Sequence, residues 1–590
     1  MKKSLGLIAL VGITAILAAG CSSVSGPQAL VAGSSLTIGE SGAIPSLNTQ
    51  VLAGPSSARA LSDLAELTLP SFYSHDASGA LTANNNFGTV TRDSSNNVTY
   101  RLSGKAKWAD GVAISPADLA LSWFAATDSK KYTLADGVTT QTGCGSALRL
   151  TSLALADKLT VLSDGIKLHF TAPVPDWKTA LPLSVPAHLL GKMALPDAGL
   201  SDADAEKKVM DLVSGSSLSN HMAMALAFAS GFNLPTDGSA ANKSLLFQAG
   251  AYRIVSATSA KIVLAANSGY EFGPKPSVAT LTLASFANAD ELAYAISAKK
   301  VDLASPVATT ATSLAQIQKN ADAAGLSSSV GDSGTNEVAL LNFGPGSAFN
   351  AATWGNDQAK AKAAREGFFK FMPRAGMWND LAGDSSVKKT DSLVFSGSDS
   401  DYQASIANNG TRAYQFQNAE SSAEGWQAAK FDRTIKIRVV FDANGSRGQL
   451  EYSQLARLGK LGGFDVENDS SENPAATLAS GQWDLYLTEQ PRLNLGGGSL
   501  ATAVGALTGF SNPQVAAIVA KVAGGDDLAK SSSDAKNLDQ LLVENFYGLP
   551  VFQLQRLTVW STKLQNYSPN SRNESLVWGY SNWSVSGKGK

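Results

Sequence analysis

Cysteine, histidine and formal charge are all scarce in this 590-residue sequence, and each scarcity removes a class of function. With only Cys21 and Cys144 present, no disulfide framework holds the fold, so stability has to come from core burial. The four histidines, His75, His169, His188 and His221, have none of the tight spacing that a zinc site requires. Charged residues make up 16% of the chain and the formal net charge is −2, with Lys and Arg scattered rather than interleaved with aromatics. Nucleic acid and other polyanions therefore have no footprint. Neither a Walker-type phosphate loop nor a G-x-S-x-G turn occurs. After the first twenty residues, no run approaches the ~20 apolar residues of a membrane span.

Two short patterns look chemical but lack their context. Gly331-Asp332-Ser333-Gly334 copies the nucleophile tetrapeptide of chymotrypsin-like proteases, yet it sits in a Ser/Gly-rich stretch and no histidine stands in the matching context. Asp442-Ala443-Asn444-Gly445 is a turn before a helix, without the ligand ladder of a calcium loop. No catalytic residue, metal or cofactor is expected, and the chain does not read as an enzyme.

What is present is a long, weakly charged, globular sequence: 44% hydrophobic residues over this length require at least two domains. Lys2 and Lys3 followed by the apolar stretch 5–19 read as an export leader over residues 1–20. Leu17-Ala18-Ala19-Gly20-Cys21 resembles a bacterial lipobox, with alanine at the position usually held by leucine. That resemblance implies lipidation at Cys21, a Ser/Gly/Ala-rich linker over 21–35, and a protein anchored to the outer face of the cell membrane or in the periplasm. Cys144, in a Gly-flanked loop without a basic neighbour, then has no partner and reads as inert.

The densest structural signal is residues 100–124. Tyr100 to Trp108 reads as a short strand, Asp110-Gly111 as a turn, and Ser115-Pro116-Ala117-Asp118 as a capped helix start that places Ala120, Trp123 and Phe124 on one face. Downstream, Gly250-Ala251-Tyr252-Arg253-Ile254-Val255 and Lys261-Ile262-Val263-Leu264 form a hairpin pattern leading to Asn267-Ser268-Gly269-Tyr270. Strand and helix patterns then alternate, as α/β layering demands, through Lys300-Val301-Asp302-Leu303, residues 337–343, 435–466, Trp483-Asp484-Leu485, 509–515 and 541–552. These stretches, taken in order from about Leu36 to Trp583, resemble the motifs of the family 5 extracellular solute-binding proteins, the oligopeptide- and dipeptide-binding class that serves ABC importers.

The resemblance implies a two-lobed α/β fold of the periplasmic-binding-protein kind (type II, large peptide-binding class), with lobe I and an extra subdomain over 36–283, lobe II over 284–549, and a return to lobe I over 550–590. Trp108, Asp110 and Asp118 are scaffold in that family. It implies capture of a peptide between the lobes by hinge closure and delivery to an ABC permease with its ATPase subunits. The ligand-contacting residues expected on this basis are Ser41 and Tyr73 from lobe I, and Asn342, Glu489, Gln490, Arg492 and Phe510 from lobe II. Peptide-binding members carry a tryptophan and then an amine-binding aspartate after the "yDl" strand, whereas this chain has Gln490 and Leu493 there, beside Glu489 and Arg492. Either Glu489 replaces the aspartate or the ligand lacks a free amine, as with the carbohydrates, nickel chelates and opines that other members bind. The alternative from another class is a surface lipoprotein that keeps the fold without transport.

Overall fold

A computed structural model of the chain describes residues 29–585, except 52–54, 76–80, 129–130, 134–139, 143–151, 172–173, 175, 196–198, 216–217, 274, 307–310, 382–385, 417–421, 423, 425–428, 430, 432–433, 444–445, 473, 494–506, 524–530 and 571–574. The leader, Cys21 and Cys144 lie outside the described residues.

Eleven strands form one mixed sheet: β1 (Val31–Ser41), β2 (Tyr252–Thr258), β3 (Lys261–Ala266), β4 (Val278–Phe286), β5 (Leu303–Ala304), β6 (Leu326–Leu341), β7 (Val387–Lys389), β8 (Ile435–Val440), β9 (Phe464–Asn468), β10 (Leu485–Pro491) and β11 (Gly548–Ser561). Their order is β2-β3-β4-β1-β5-β11-β6-β10-β8-β9, with β7 alongside β11. Two parallel groups sit at the flanks, β4-β1-β5 and β10-β8-β9, and the long antiparallel pair β6-β11 joins them. Parallel strands need covered faces: α1 (Pro55–Thr68) and α5 (Ala289–Ser297) pack on β1, and α7 (Ser446–Gly459) on β9 and β10, while α6 (Ala311–Ala323) lies on β6 and β11; α2 (Pro116–Thr127), α3 (Ala187–Ala194) and α4 (Leu218–Ser230) belong to a separate layer, in which α2 packs on a four-stranded sheet of Gly88–Arg92, Asn97–Leu102, Gly165–Phe170 and Ala156–Leu162.

Burial divides this sheet into separate cores. The first draws on residues 36–303 and returns for 564–583; the second lies wholly within 338–554. A small third cluster packs α5 and α6 against Leu557 and Val559. The composition of β6 follows the division: its first half is Ser- and Gly-rich and half-buried, and Val338 to Leu341 is apolar and buried. Leu283, expected near the first crossing, instead pairs with Ile38 and Ile262 and is fully buried in the first core. Pro550 likewise pairs with Val338 inside the second core. The chain leaves the first core after Leu303 and passes along β6, whose Leu326 and Val330 pack on the third cluster, into the second core at Val338; it returns along β11 between Leu554 and Leu557. Between the cores the register of these two strands shifts, at Asp332/Asn336 and again at Glu337/Val338.

The 100–124 signal forms the elements expected of it. Ser115 caps α2, and the Asp118 carboxylate accepts from the Ser115 amide in a full capping box. Asp118 also accepts from the Trp108 indole at 3.3 Å and from the Ala187 amide at the start of α3 at 2.8 Å, so one buried carboxylate ties a turn and two helices together. Trp108, 2% exposed, stacks edge-on against Phe247. Asp110 holds the turn by accepting from the Val112 amide, and pairs with the fully buried ring of His188 at 2.7 Å. All three are scaffold.

Candidate ligand-binding cleft

Strand directions fix where a cleft opens. β6 runs from the third cluster, on the first core's side of the sheet, towards the second core, and β11 runs back. Because β10 is antiparallel to β6, with Leu341 opposite Leu485 and Thr335 opposite Pro491, the carboxyl end of β10 points towards the first core. Because β5 is antiparallel to β11, the carboxyl ends of β5 and of its parallel neighbours β1 and β4 point towards the second. The two parallel groups thus present their carboxyl ends to one another across the shifted segment of β6 and β11. Ligands of open α/β sheets bind outside such ends.

On the first-core side, β1 ends in Glu40 and Ser41. Glu40 is fully buried and accepts from Arg59 Nε of α1 at 3.1 Å; Arg59 Nη1 donates to the carbonyl of Ser305, just past β5, at 2.8 Å. Asp63, one turn along α1, accepts from the Leu576 amide at 3.0 Å, and burial followed by the neighbouring Glu40 pushes its carboxyl well up. Burial beside Glu40 thus favours the neutral form of Asp63. The Ser41 hydroxyl is buried without a hydrogen-bond partner among the described residues.

On the second-core side, Glu337 of β6 stands directly opposite Glu489 of β10. Arg447, in the first turn of α7, donates through Nε to Glu337 at 3.1 Å and through Nη2 to Glu489. Behind them Glu451, one turn further along α7, is fully buried with both carboxyl oxygens unpartnered. Burial, then the charge of Glu337, pushes Glu451 well up; burial raises Glu337 to about 6 against the pull of Arg447. Gln490 Nε2 donates to the Tyr547 hydroxyl at 3.2 Å. Arg492 is 3% exposed and its Nη1 lies 2.5 Å from Asp332, which binds the tip of β10 to the shifted part of β6.

Of the expected contact residues, the strand ends bring Ser41, Glu489, Gln490 and Arg492 to the cleft. Asn342 sits six residues past Asn336, the partner of Gln490, hence roughly 20 Å of strand away. There it donates to the Trp483 carbonyl at 2.7 Å and accepts from the Gly344 amide. Phe510 packs against Phe343 and Tyr547 in the second core. Tyr73 lies in a two-stranded ribbon with Lys178 over its ring. Ser333 donates to the Leu554 carbonyl, a strand-to-strand bond. Glu451 was not anticipated, although an acid one turn before Leu455 on the buried face of a helix is a readable anomaly. A separate open concavity of about 620 Å³ lies between α3, α4 and residues 242–245, with Met193, Leu226, Ala227 and Leu245 in its lining and no charged side chain. Among the described residues no cluster of acidic, His or Cys side chains is arranged to hold a metal ion.

No protein-family model and no curated protein matches the sequence. Solved structures do match, across nearly the whole chain. The periplasmic EDTA-binding protein EppA superposes with a TM-score of 0.66 at 16% identity, covering 95% of this chain and 97% of that one. The chain has the two-lobed α/β fold of the periplasmic solute-binding proteins. AgaA from A. tumefaciens R10, in complex with agropinic acid, shares that fold at a TM-score of 0.61 and 14% identity over 94% of this chain and 99% of its own. The oligopeptide-binding protein AppA from Bacillus subtilis, in complex with a nonapeptide, does so at 0.58 and 12% over 95% and 100%. The segment common to β6 and β11 lies between the clusters of buried residues on either side of it. No described helix is long and apolar enough to cross a membrane.

Proposed function

We propose that this chain is the solute receptor of an ABC importer, a lipoprotein held through Cys21, which captures a peptide or other small solute between its lobes and delivers it to a membrane permease. The observation that supports this most is the convergence of the carboxyl ends of both parallel strand groups on one gap. That gap is spanned by two strands whose register is broken. The lobes divide at about 332–336 and 554–557, where Gly334 adopts φ +82° and Ser- and Gly-rich backbone replaces packed apolar side chains. Such a segment absorbs rotation without repacking either core.

Ser41 and Gln490 are four strand spacings apart across the sheet, roughly 19 Å, and are offset along the strands as well, so a small solute touches both sides only once the lobes close. Closure requires that the ligand favour the closed state, which contact with both lobes supplies. The test is small-angle scattering of the chain with and without a pool of tri- to pentapeptides, alongside calorimetric titration. Heat of binding with a smaller radius of gyration is expected; binding with an unchanged radius would rule out closure, and absence of any bound solute would return the chain to a non-transporting surface protein. Replacing Cys21 by Ser should release the folded protein from membranes, and retention there would remove the lipid anchor.

A further inference from the structure

We infer that the ion pair between Arg492 and Asp332 is a latch across the segment that divides the lobes: it fixes their resting angle in the absence of solute and so scales the affinity for every solute alike. This rests on the division of the lobes at 332–336 proposed above and adds how the angle at that division is set.

The pair begins where the strand ladder fails. β6 meets β11 at Asp332 with Gln555 and next at Asn336 with Gln553, so residues 333–335 have no ladder partner on β11. On the other side, Thr335 opposite Pro491 ends the pairing of β6 with β10. Arg492 follows Pro491 and precedes Leu493, which is buried in the second core. Asp332 stands two residues past Val330, which packs on the third cluster. The ion pair therefore ties one side to the other over the bulged residues. By contrast, Arg59–Glu40 and Lys563–Asp302 join residues of the first side alone, and Arg447–Glu337 and Arg438–Asp484 join residues of the second alone.

Burial gives the pair its grip. The two side chains are 3% and 12% exposed, with Arg492 Nη1 2.5 Å from Asp332 Oδ2. An exposed pair would be screened by salt and would restrain little. A buried one resists separation, because either charge left alone in the interior is strongly unfavourable. Rotation at 333–335 carries Arg492 with β10 and leaves Asp332 behind, so the contact has to stretch or be exchanged.

Groups for an exchange stand at the same break. Arg492 Nε is buried without a hydrogen-bond partner among the described residues, and so are Asn336 Oδ1 and Gln555 Oε1. Gln555 is opposite Asp332, and Asn336 is opposite Gln490, two residues before Arg492. A permanent cross-link accounts for the ion pair but leaves one donor and two acceptors unmet on three neighbouring strands, against the rule that buried polar groups are matched. A two-position arginine accounts for all of them: it holds Asp332 at one lobe angle and turns its fork to the side-chain amides at another. Arg492 is then a positioning residue. Its pair biases the lobes before any solute arrives, and a bias of that kind multiplies every apparent affinity by one factor.

The test reads the solute-free chain first. Spin labels at Val255→Cys and Leu461→Cys, 54% and 65% exposed on or beside the two outer strands of the sheet, report the distance between lobes by pulsed electron resonance in a full chain with Cys21 and Cys144 replaced by Ser. Arg492→Gln and Asp332→Asn should each redistribute that distance in the same direction. The double variant, whose neutral amides can bond to one another, should move it no further than either single change, because the latch breaks once; it also supplies the reading if a single variant does not fold. An unchanged distance in the folded variants, or additive changes, overturns the latch. Calorimetric titration with a tripeptide pool and with EDTA chelates is the second arm. Both single variants should shift the affinity of any probe that binds by the same factor, about three- to tenfold. A loss in Arg492→Gln that far exceeds that in Asp332→Asn makes Arg492 a solute contact and overturns the latch. If no probe binds, the receptor reading fails, while the latch stands or falls on the distances.

Discussion

Each lobe carries one arginine among several acids at the carboxyl end of its parallel strands, and the two clusters have opposite characters. Around Arg59 the charged groups are tied down: Glu40 accepts from the guanidinium, and both the guanidinium and Asp63 are bonded to distant backbone, although Arg59 Nη2 and Glu40 Oε1 have no hydrogen-bond partner among the described residues. Around Arg447 they are not, because Glu451 has nothing to accept from among the described residues and Glu489 reaches into solvent. A sealed cluster cross-links elements that are remote in sequence. The other leaves a buried carboxyl without a hydrogen bond and an acid at the surface.

The sharpest way to break the comparison is Arg59→Ala. It leaves Glu40 buried and uncompensated, and it should destabilise lobe I by about 3–5 kcal/mol, read as a lowered first unfolding transition. A variant as stable as the parent would show that the Arg59 cluster is not a cross-link.

Next in size is the response to pH. Burial raises Glu66 and Asp118 to about 7, and Glu337 to about 6, above their ordinary values of 4.5, 3.8 and 4.5. Across this window the native chain holds protons that the unfolded chain has released, so stability is lost as pH rises from about 4.5 through 7. The melting temperature at pH 5 should exceed that at pH 8 by several degrees. Glu66→Gln should flatten the slope more than Glu337→Gln, and a melting temperature that rises towards pH 8 would contradict both assignments.

A smaller effect of opposite sign is expected at Glu451. Because its carboxyl has no hydrogen-bond partner to lose among the described residues, Glu451→Leu should raise stability by about 1–2 kcal/mol at neutral pH. A destabilised Glu451→Leu would mean the group is satisfied after all. Least of all, Glu489→Gln should change stability by less than about 1 kcal/mol, as befits a half-exposed ion pair, so any large loss of affinity there is a loss of contact and not of fold.

Local chemistry was legible in the sequence; remote pairing was not. The Ser115–Asp118 capping box is spelled out within four residues and forms as written. The third service of Asp118, to Ala187, spans 69 residues and has no local signature. Asp484 reads as the middle of a strand motif. In the structure it anchors the Ala348 amide and Arg438, 136 and 46 residues away. Asn342 resembles a ligand contact because it ends an apolar strand, yet strand direction places it at the far end of its lobe. The position of the lobe connection was hidden for a similar reason: β4 and β6 are both apolar strands on paper, and only pairing shows that β6 is shared between cores. Glu489 and Arg492 were singled out by counting from Asp484 against the family pattern, whereas their partners, Arg447 of α7 and Asp332 of β6, are remote in sequence and had no local signal.

The return of the chain to its starting half sets an order of assembly. Every residue of the second core has been made once position 554 emerges, but the first core still lacks Leu564, Leu576 and Trp583. Its closing bonds, from the Leu576 amide to Asp63 and from the Ser277 hydroxyl to the Trp583 carbonyl, span 513 and 306 residues. In a chain synthesised from its amino end, the half begun first is therefore the half completed last. Until Val559 and Trp560 of β11 are made, its sheet keeps an unpaired β5 edge, the kind of surface that chaperones shield.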